Sequence, residues 1–286
     1  MPRGPSLTAE IVCFFRAWEH LRGGADQILD DPLAERFLRP LVRRWLAGPL
    51  AAPWRRVATL SAAMDAMTAF VVARHRTMDD VLADALAAGV GQTVLLGAGY
   101  DTRAWRFEVE RAGRPHYELD FAPTQERKRR VAARTGLDAA VGQVFVPVDF
   151  EREAFDEKLV GAGFRAGERA LFVWEGVTMY LQRETVADTL TRVRALGGPG
   201  TEIVADFWWE PERSLWTRLS RAGLGFFHAL GEPLTFSLAQ AEAPAFFDAL
   251  GWDVVGVADQ AELLARYGRD APAFQPPLFV VHAKAR

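Results

Sequence analysis

Two glycines and an acid have the residue types and the spacing of a nucleoside-binding turn. The segment "TVLLGAGYDTRAWRF" (93–107) places Gly97, Ala98 and Gly99 between a short apolar run and a helical pattern. Glycine lacks a side chain, so a ligand could press against the backbone of this turn. Asp120 follows about twenty residues later, where an acid ending the second strand of an open α/β sheet receives ribose hydroxyls. Together these features predict a site for a nucleoside-type ligand.

The turn departs from the dinucleotide-binding pattern at Thr102, which stands where that fingerprint has a third glycine. The helix then starts farther from the strand, and Asp101 and Arg103 could pair with each other to brace the turn. Such an open turn suits a ribose and a short zwitterionic chain better than a pyrophosphate. S-adenosylmethionine has both and no phosphate, so we expect it as the cofactor. A NAD-dependent oxidoreductase and a non-catalytic nucleoside-binding protein are the alternatives from other classes.

Alternating strands and helices must position these residues. The five strands of this region are predicted within 93–96, 116–120, 144–150, 170–181 and 201–209, each followed by a helical pattern or by the aromatic segment after residue 206. This alternation predicts an α/β fold with a parallel sheet and helices on both faces. "WDVVGVA" and "PLFVVHAKA" near the C-terminus predict a last pair of strands, one of them antiparallel.

We expect one domain over residues 1–286, in four parts. Residues 1–90 read as a helical N-terminal cap, and 91–206 as the cofactor-binding core. Residues 207–238 are too long for a simple connection and rich in aromatic residues, which predicts a lid or substrate-binding insertion. Residues 239–286 hold the C-terminal helix and strand pair.

Composition narrows the classes of partner. The chain has 286 residues, a formal net charge of -3 and one cysteine, Cys13. This charge favours neither nucleic acid nor a membrane as partner, and a lone cysteine fits a reducing cytoplasm. No metal site is predicted, and nothing in the sequence predicts an oligomeric state. The best membrane candidate, 57–73, is short for a span and carries Asp65, so we predict a buried helix.

A basic run, "QERKRRVAAR" (125–134), has the composition of a nucleic-acid patch. It lies on the helix predicted after the second strand. We therefore expect Lys128, Arg129 and Arg130 to form a solvated helix face rather than an RNA site.

Several segments resemble the leucine carboxyl methyltransferase family. The similarity runs through "ARHRTMDDVLADALAAGVGQTVLLGAGYDTRAWRF", "YELDFAPTQERKR", "VPVDF" and "WEGVTMYL", in this order, and "RAWEHLRGGADQILDDPLAERFL" resembles the family's N-terminal helices. The family includes protein phosphatase methyltransferases and a bacterial branch of S-adenosylmethionine-dependent O-methyltransferases, some of which act on polyketides. The resemblance implies a class I methyltransferase fold, Rossmann-like, with a seven-stranded, mostly parallel sheet.

The resemblance also implies roles around the methionyl end of the cofactor. Arg74 lies where the family arginine binds the methionyl carboxylate, and a guanidinium fork suits that group. Arg76 is the alternative candidate, and His75 stands where many members have threonine. Gly97 and Gly99 would pack against the methionyl chain.

Four further positions are implied around the nucleoside. Asp120 would bind the ribose hydroxyls, and Asp149 and Phe150 would lie against adenine. Glu175 matches a family glutamate that ends the fourth strand on the ligand side. Alternatively, Asp149 caps the following helix and Glu175 is an internal salt-bridge partner.

The acceptor side is predicted from an implied tyrosine and from the aromatic insertion. Tyr180 falls where the family tyrosine faces the substrate, although it could equally be a core residue. Trp208, Trp209 and Trp216 could form rigid walls for a flat organic acceptor, or a lid that closes the core. His228 is the candidate general base, with packing among aromatic residues as the alternative.

Together these expectations describe an O-methyltransferase acting on a carboxylate or phenol of a small, possibly polyketide-type, acceptor. A protein C-terminal carboxyl methyltransferase is the alternative in the same class.

Overall fold

A computed structural model describes residues 5–48, 58–209, 234–270 and 277–286. Trp216 and His228 lie outside the described residues, together with most of the predicted insertion.

Seven strands form one sheet, in the order β3-β2-β1-β4-β5-β7-β6. Strands β1 to β5 pair in parallel, whereas β7 is antiparallel to both β5 and β6. The predicted sheet and its antiparallel C-terminal member are therefore confirmed. The strands are β1 Gln92–Leu96, β2 His116–Asp120, β3 Gln143–Pro147, β4 Ala170–Trp174, β5 Glu202–Trp208, β6 Trp252–Asp259 and β7 Leu278–Ala285.

Ten α-helices are described among these residues. They are α1 Leu7–Arg22, α2 Pro40–Ala47, α3 Ala58–Ala87, α4 Arg103–Arg106, α5 Glu108–Arg111, α6 Ala122–Arg134, α7 Phe155–Gly161, α8 Arg183–Leu196, α9 Ala243–Ala249 and α10 Gln260–Arg266. Short 3-10 turns occupy Ala34–Phe37, Thr178–Tyr180 and Gln240–Glu242. Strand β5 continues two residues past the boundary at 206 predicted for the core.

The central strands β1 and β4 are buried along their whole length, as parallel strands covered on both faces must be. Alternate residues enter different cores. Phe172 of β4 joins a cluster with α7, α8 and α9, while Val173 joins a second cluster with α3 and α10. Helices therefore cover both faces, as the sequence predicted.

The N-terminal helix α1 packs on α3 and next to the turn that follows β1. Ser6 caps it, since its side chain accepts a hydrogen bond from Ala9 N at 3.1 Å. Three charged residues of α1, Glu10, Arg16 and Glu19, are buried. Burying a charge is costly unless it is paired, so the contacts of these residues fix where the helix sits.

The segment considered as a membrane span overlaps α3. None of the helices in the described part of the chain is long and apolar enough to cross a bilayer.

Candidate functional site

A cavity of about 380 Å³ opens beyond the carboxyl ends of β1, β2 and β4. This is the edge at which open α/β sheets bind ligands, and the size is that of a small-molecule site. All the residues predicted to bind the cofactor lie in its lining: Arg74, Gly97, Ala98, Gly99, Asp120, Asp149, Phe150 and Glu175. The sequence thus located the cavity, and the individual roles of these residues stay predictions.

The two glycines of the turn are required by the protein's own packing. Gly97 has φ +75°, and a Cβ atom added there would lie 2.3 Å from Cγ2 of Val177, in the loop after β4. Gly99 has φ +48°, and its added Cβ would lie 3.2 Å from the Cβ of Ala9 in α1. Positive φ favours glycine at both positions; the contact at Gly97 leaves no room for a side chain, and the one at Gly99 is tighter than ordinary van der Waals contact. The turn is therefore clamped between α1 and the loop after β4.

Thr102, in the place of a third glycine, belongs to a buried hydrogen-bond network. Its hydroxyl donates to Asp31 Oδ2 at 2.8 Å and accepts from Arg106 Nε at 2.9 Å. Arg16 of α1 donates to the same Asp31 oxygen at 2.7 Å and to the carbonyl of Tyr100 at 2.7 Å. The residue that breaks the dinucleotide pattern thus helps to attach α1 to the turn.

Arg103 lies fully buried at the centre of this network. Its Nη1 contacts Asp101 Oδ2 at 2.5 Å and Glu175 Oε2 at 2.9 Å, and its Nε donates to Asp79 Oδ1 at 2.6 Å. The predicted pairing of Asp101 with Arg103 is confirmed. Burial by itself would raise the pKa of Asp101, but the Arg103 guanidinium holds it well below its usual range.

Three potential metal ligands, His75, Asp101 and Glu175, have donor atoms within 4.8 Å of one another. Arg103 already contacts all three, since its Nη2 also lies 3.2 Å from His75 Nδ1. Burial and the neighbouring Arg103 lower the pKa of His75, so its ring is neutral near pH 7. A guanidinium cation therefore occupies the centre of this cluster.

Arg74 is held by two acids. Its Nε donates to Glu175 Oε1 at 3.1 Å and its Nη1 to Asp206 Oδ2 at 2.8 Å. Its Nη2 makes no hydrogen bond within the described residues. The alternative, Arg76, is half exposed, pairs with Asp80 and is not in the lining. The geometry therefore favours Arg74 for the methionyl carboxylate.

Glu175 combines both roles considered for it, because it lines the cavity and is an internal salt-bridge partner. Its oxygens accept from Arg74 Nε and from His75 Nδ1 at 2.9 Å, and Oε2 also forms an ion pair with Arg103 Nη1 at 2.9 Å. Burial would raise its pKa, but His75, Arg103 and Arg74 together hold it well below the ordinary value. Glu175 is therefore ionised at neutral pH.

The nucleoside end of the cavity contains two acids with backbone partners. Asp120 accepts hydrogen bonds from the amides of Gly99 and Phe121, and burial raises its pKa to about 6. Asp149 accepts from the amide of Glu151 at 3.1 Å and so caps the turn after β3. The helix after β3 begins only at Phe155 with Ala154 as its N-cap, so the alternative that Asp149 caps that helix is wrong. Asp149 lines the cavity, and its ligand-binding role stays a prediction.

The predicted acceptor residues separate in the structure. Tyr180 lines the cavity. Trp208 packs beside it in an apolar cluster that includes Phe70 and Met179, and Trp209 packs against the main core instead. Neither tryptophan lines the cavity, so this arrangement does not favour Trp208 or Trp209 as a wall of the acceptor site.

Sequence reasoning missed the wall that α1 contributes. Thr8, Val12 and Arg16 recur at intervals of four residues and so share one helix face, and Ser6 and Ala9 lie beside it; all five line the cavity. This spacing is the same as that of ordinary core packing, so it carried no separate signal. Phe121 also lines the cavity and was not predicted to do so. Its position, an aromatic residue directly after the acid that ends the second strand, was a signal that could have identified it.

The prediction of a solvated basic face is wrong for Lys128. Its side chain is fully buried, and Nζ lies 2.5 Å from Oε2 of Glu118, which is also fully buried. Arg129 and Arg130 are exposed. Lys128 is adjacent to these arginines in the sequence, but successive residues of a helix point in different directions, so it lies on a different face.

The charges of the lining fit the expected cofactor. The described lining has five carboxylates, on Asp101, Asp120, Asp149, Glu151 and Glu175, and three guanidinium groups, on Arg16, Arg74 and Arg103. S-adenosylmethionine carries a net positive charge, so an acidic cavity attracts it, whereas a pyrophosphate would be repelled.

This strand order, with an acidic cavity at the ends of β1, β2 and β4, defines a class I methyltransferase. The sequence profile of the leucine carboxyl methyltransferase family matches residues 9–194. The chain belongs to that family and is an S-adenosylmethionine-dependent methyltransferase, which replaces the oxidoreductase and the non-catalytic alternatives. A Frankia alni protein, provisionally named an S-adenosylmethionine-dependent methyltransferase, is 32% identical over 283 residues, covering 95% of this chain and 91% of its own.

Two solved structures have the same fold. A DUF574 family protein from Streptomyces avermitilis superposes with a TM-score of 0.60 at 15% identity, covering 99% of this chain and 98% of its own. Magnesium protoporphyrin IX methyltransferase from Synechocystis, solved with S-adenosylhomocysteine, gives a TM-score of 0.50 at 15% identity, covering 86% of this chain and 99% of its own. At this identity the likeness concerns the fold.

Proposed function

We propose that this methyltransferase transfers the methyl group to an oxygen of a small organic acceptor, a carboxylate or a phenol, of polyketide type or similar. The observation that carries the proposal is the apolar wall beside the cofactor residues. Val12 and Tyr180 belong both to the cavity lining and to the apolar cluster of Phe15, Phe70 and Met179. An apolar cleft with few polar groups suits a flat, largely apolar molecule.

The cavity residues would act by holding and aligning the cofactor. Asp120 accepts the ribose hydroxyls, Arg74 Nη2 donates to the methionyl carboxylate, and the backbone of Gly97 and Gly99 lies against the methionyl chain. S-adenosylmethionine supplies an activated methyl group on a sulfonium. The contribution of the protein is then alignment and exclusion of water.

The need for a base depends on the acceptor. A carboxylate, with a pKa near 4, is ionised at neutral pH, whereas a phenol, near 10, benefits from a base. His75, the histidine of the described lining, is neutral, but its ring is bound to Glu175 and Arg106, which leaves it no free nitrogen for an acceptor. This favours an acceptor that is already ionised, with His228 as the candidate base for a phenol.

A protein C-terminal carboxylate is the second candidate within the family. Tyr180 and Thr235 both line the cavity, and the amide of Thr235 donates to Met179 O at 2.8 Å, which ties these two segments together.

The experiment supplies S-adenosylmethionine labelled at the methyl group and three sets of acceptors: aromatic carboxylic acids, phenols, and peptides ending in leucine. Labelled product is recovered and treated with mild alkali, which cleaves methyl esters and leaves ethers intact. We expect label in the small acids or phenols. Transfer to the peptides alone would overturn the small-molecule proposal, and an alkali-stable ether would overturn the preference for an ionised acceptor.

A further inference from the structure

Asp206 is a fully buried acid near the carboxyl end of β5, where its neighbours Ala205 and Phe207 are buried and apolar. It lies on the sheet face that α3 covers, next to Val204 in the alternation of the strand. A carboxylate in such a place is costly unless each oxygen has a partner. Its partners therefore indicate why it is there.

Each oxygen of Asp206 binds a different element of the cofactor site. Oδ2 accepts from Arg74 Nη1 at 2.8 Å, and Oδ1 accepts from the amide of Gly176 at 2.6 Å. The carbonyl of Asp206 also accepts from the hydroxyl of Thr178 at 2.6 Å. One residue of β5 thus joins the arginine of α3 to the loop after β4.

The contacts of Arg74 show what this arrangement achieves. A guanidinium donates from Nε, Nη1 and Nη2 in a fixed fork. Glu175 holds Nε and Asp206 holds Nη1, so the plane and rotation of the fork are set, and Nη2, which no described residue binds, is left for a ligand. Without Asp206 the group could turn about its bond to Glu175.

We propose that Asp206 is a positioning residue for the cofactor: it orients Arg74 so that Nη2 faces the methionyl carboxylate. Asp206 is not in the cavity lining and acts through Arg74. The inference rests on the cofactor-binding role given to Arg74 above and is independent of the acceptor.

Two ligands separate positioning from a general structural effect. S-adenosylhomocysteine carries the amino-acid end, whereas 5′-methylthioadenosine has the same adenosine without it. We expect Asp206→Asn to weaken S-adenosylhomocysteine about tenfold or more, because a charge-assisted contact is lost, and to change 5′-methylthioadenosine less than twofold. Dissociation constants are measured by titration calorimetry.

Glu202→Gln is the matched control. Glu202 is on the same strand and is also ion-paired, to Arg169 at 2.9 Å, but it lies at the opposite end of β5. We expect it to leave both affinities unchanged. If Asp206→Asn does not fold, Asp206→Glu replaces it, because the longer side chain keeps the charge but displaces Arg74, and the same selective loss is expected.

Equal weakening of both ligands, or unchanged S-adenosylhomocysteine affinity, would overturn the positioning role. Arg74→Ala completes a cycle: the double variant should bind S-adenosylhomocysteine no more weakly than Arg74→Ala alone, since Asp206 acts through Arg74. Additive losses would also overturn it. If Arg74→Ala has normal affinity while the wild type binds well, the carboxylate role of Arg74 fails separately.

Discussion

Replacing Gly97 with alanine should destabilise the protein through two separable effects. The residue has φ +75°, and the new Cβ would lie 2.3 Å from Cγ2 of Val177. A left-handed backbone costs a non-glycine residue about 1–2 kcal/mol. Overpacking a tight contact adds about 1–3 kcal/mol. We therefore expect the free energy of unfolding to fall by about 2–5 kcal/mol.

The assay is equilibrium unfolding in urea, with Gly89→Ala as the matched control. Gly89 has φ +81°, and nothing lies within 4 Å of an added Cβ, so this variant has the backbone strain without the clash. We expect it to lose only about 1–2 kcal/mol. Adding Val177→Ala to the Gly97 variant should recover part of the loss, with a coupling of about 0.5–3 kcal/mol.

Equal losses in the Gly97 and Gly89 variants would refute this reasoning, because the Val177 contact would then carry no cost. Purely additive effects of the Gly97 and Val177 changes would refute it as well. In either case the glycine would be explained by backbone conformation alone.

Three other perturbations test the site and its supports. As pH falls through about 6, Asp120 gains a proton and can no longer accept both ribose hydroxyls. The affinity for S-adenosylhomocysteine, measured by calorimetry, should therefore fall over this pH range. Asp120→Asn should bind the ligand weakly, with no dependence on pH in this range. Lys128→Met leaves Glu118 buried without its cation and should lower the free energy of unfolding in urea by about 3–5 kcal/mol. Arg16→Met removes the nearer cation of buried Asp31 but leaves Arg106 at 3.9 Å, so the loss of stability should be smaller than about 3–5 kcal/mol, and S-adenosylhomocysteine should bind more weakly because Arg16 lines the cavity.

Each of these has an outcome that counts against it. An Asp120→Asn variant with wild-type affinity at pH 7 would remove the ribose role. Adding Glu118→Gln to Lys128→Met should restore stability, and a failure to do so would mean that packing rather than charge explains the loss. Unchanged ligand affinity in Arg16→Met would separate α1 from the cofactor site.

The sheet and the cavity could be predicted because local patterns determine them. Apolar runs and helical periods give the strands and helices, and parallel pairing brings Gly97 and Asp120 to one edge of the sheet. The turn residue Asp101 was also paired correctly with Arg103, since the two are close in sequence.

Long-range polar contacts escaped prediction. Arg74 meets Asp206 across 132 positions, and Lys128 is buried only because Glu118 faces it from the neighbouring strand. In the sequence, a charge that is paired inside the protein is indistinguishable from one in solvent. The role of α1 in the cavity wall escaped for the same reason, because its apolar face equally predicts simple core packing.

The buried charges of α1 have a consequence for how the chain is made. Glu19 finds Arg269 at 3.1 Å across 250 positions, and Arg16 needs the carbonyl of Tyr100. Although Glu19 also pairs with Arg22 at 3.3 Å, α1 has its full set of charge partners only once residue 269 has been synthesised, and earlier docking would bury Arg16 and Glu19 without some of them. Hydrogen exchange on stalled nascent chains should find the α1 amides unprotected until late lengths. The cofactor cavity would then be closed, on its α1 side, as one of the last events of biogenesis.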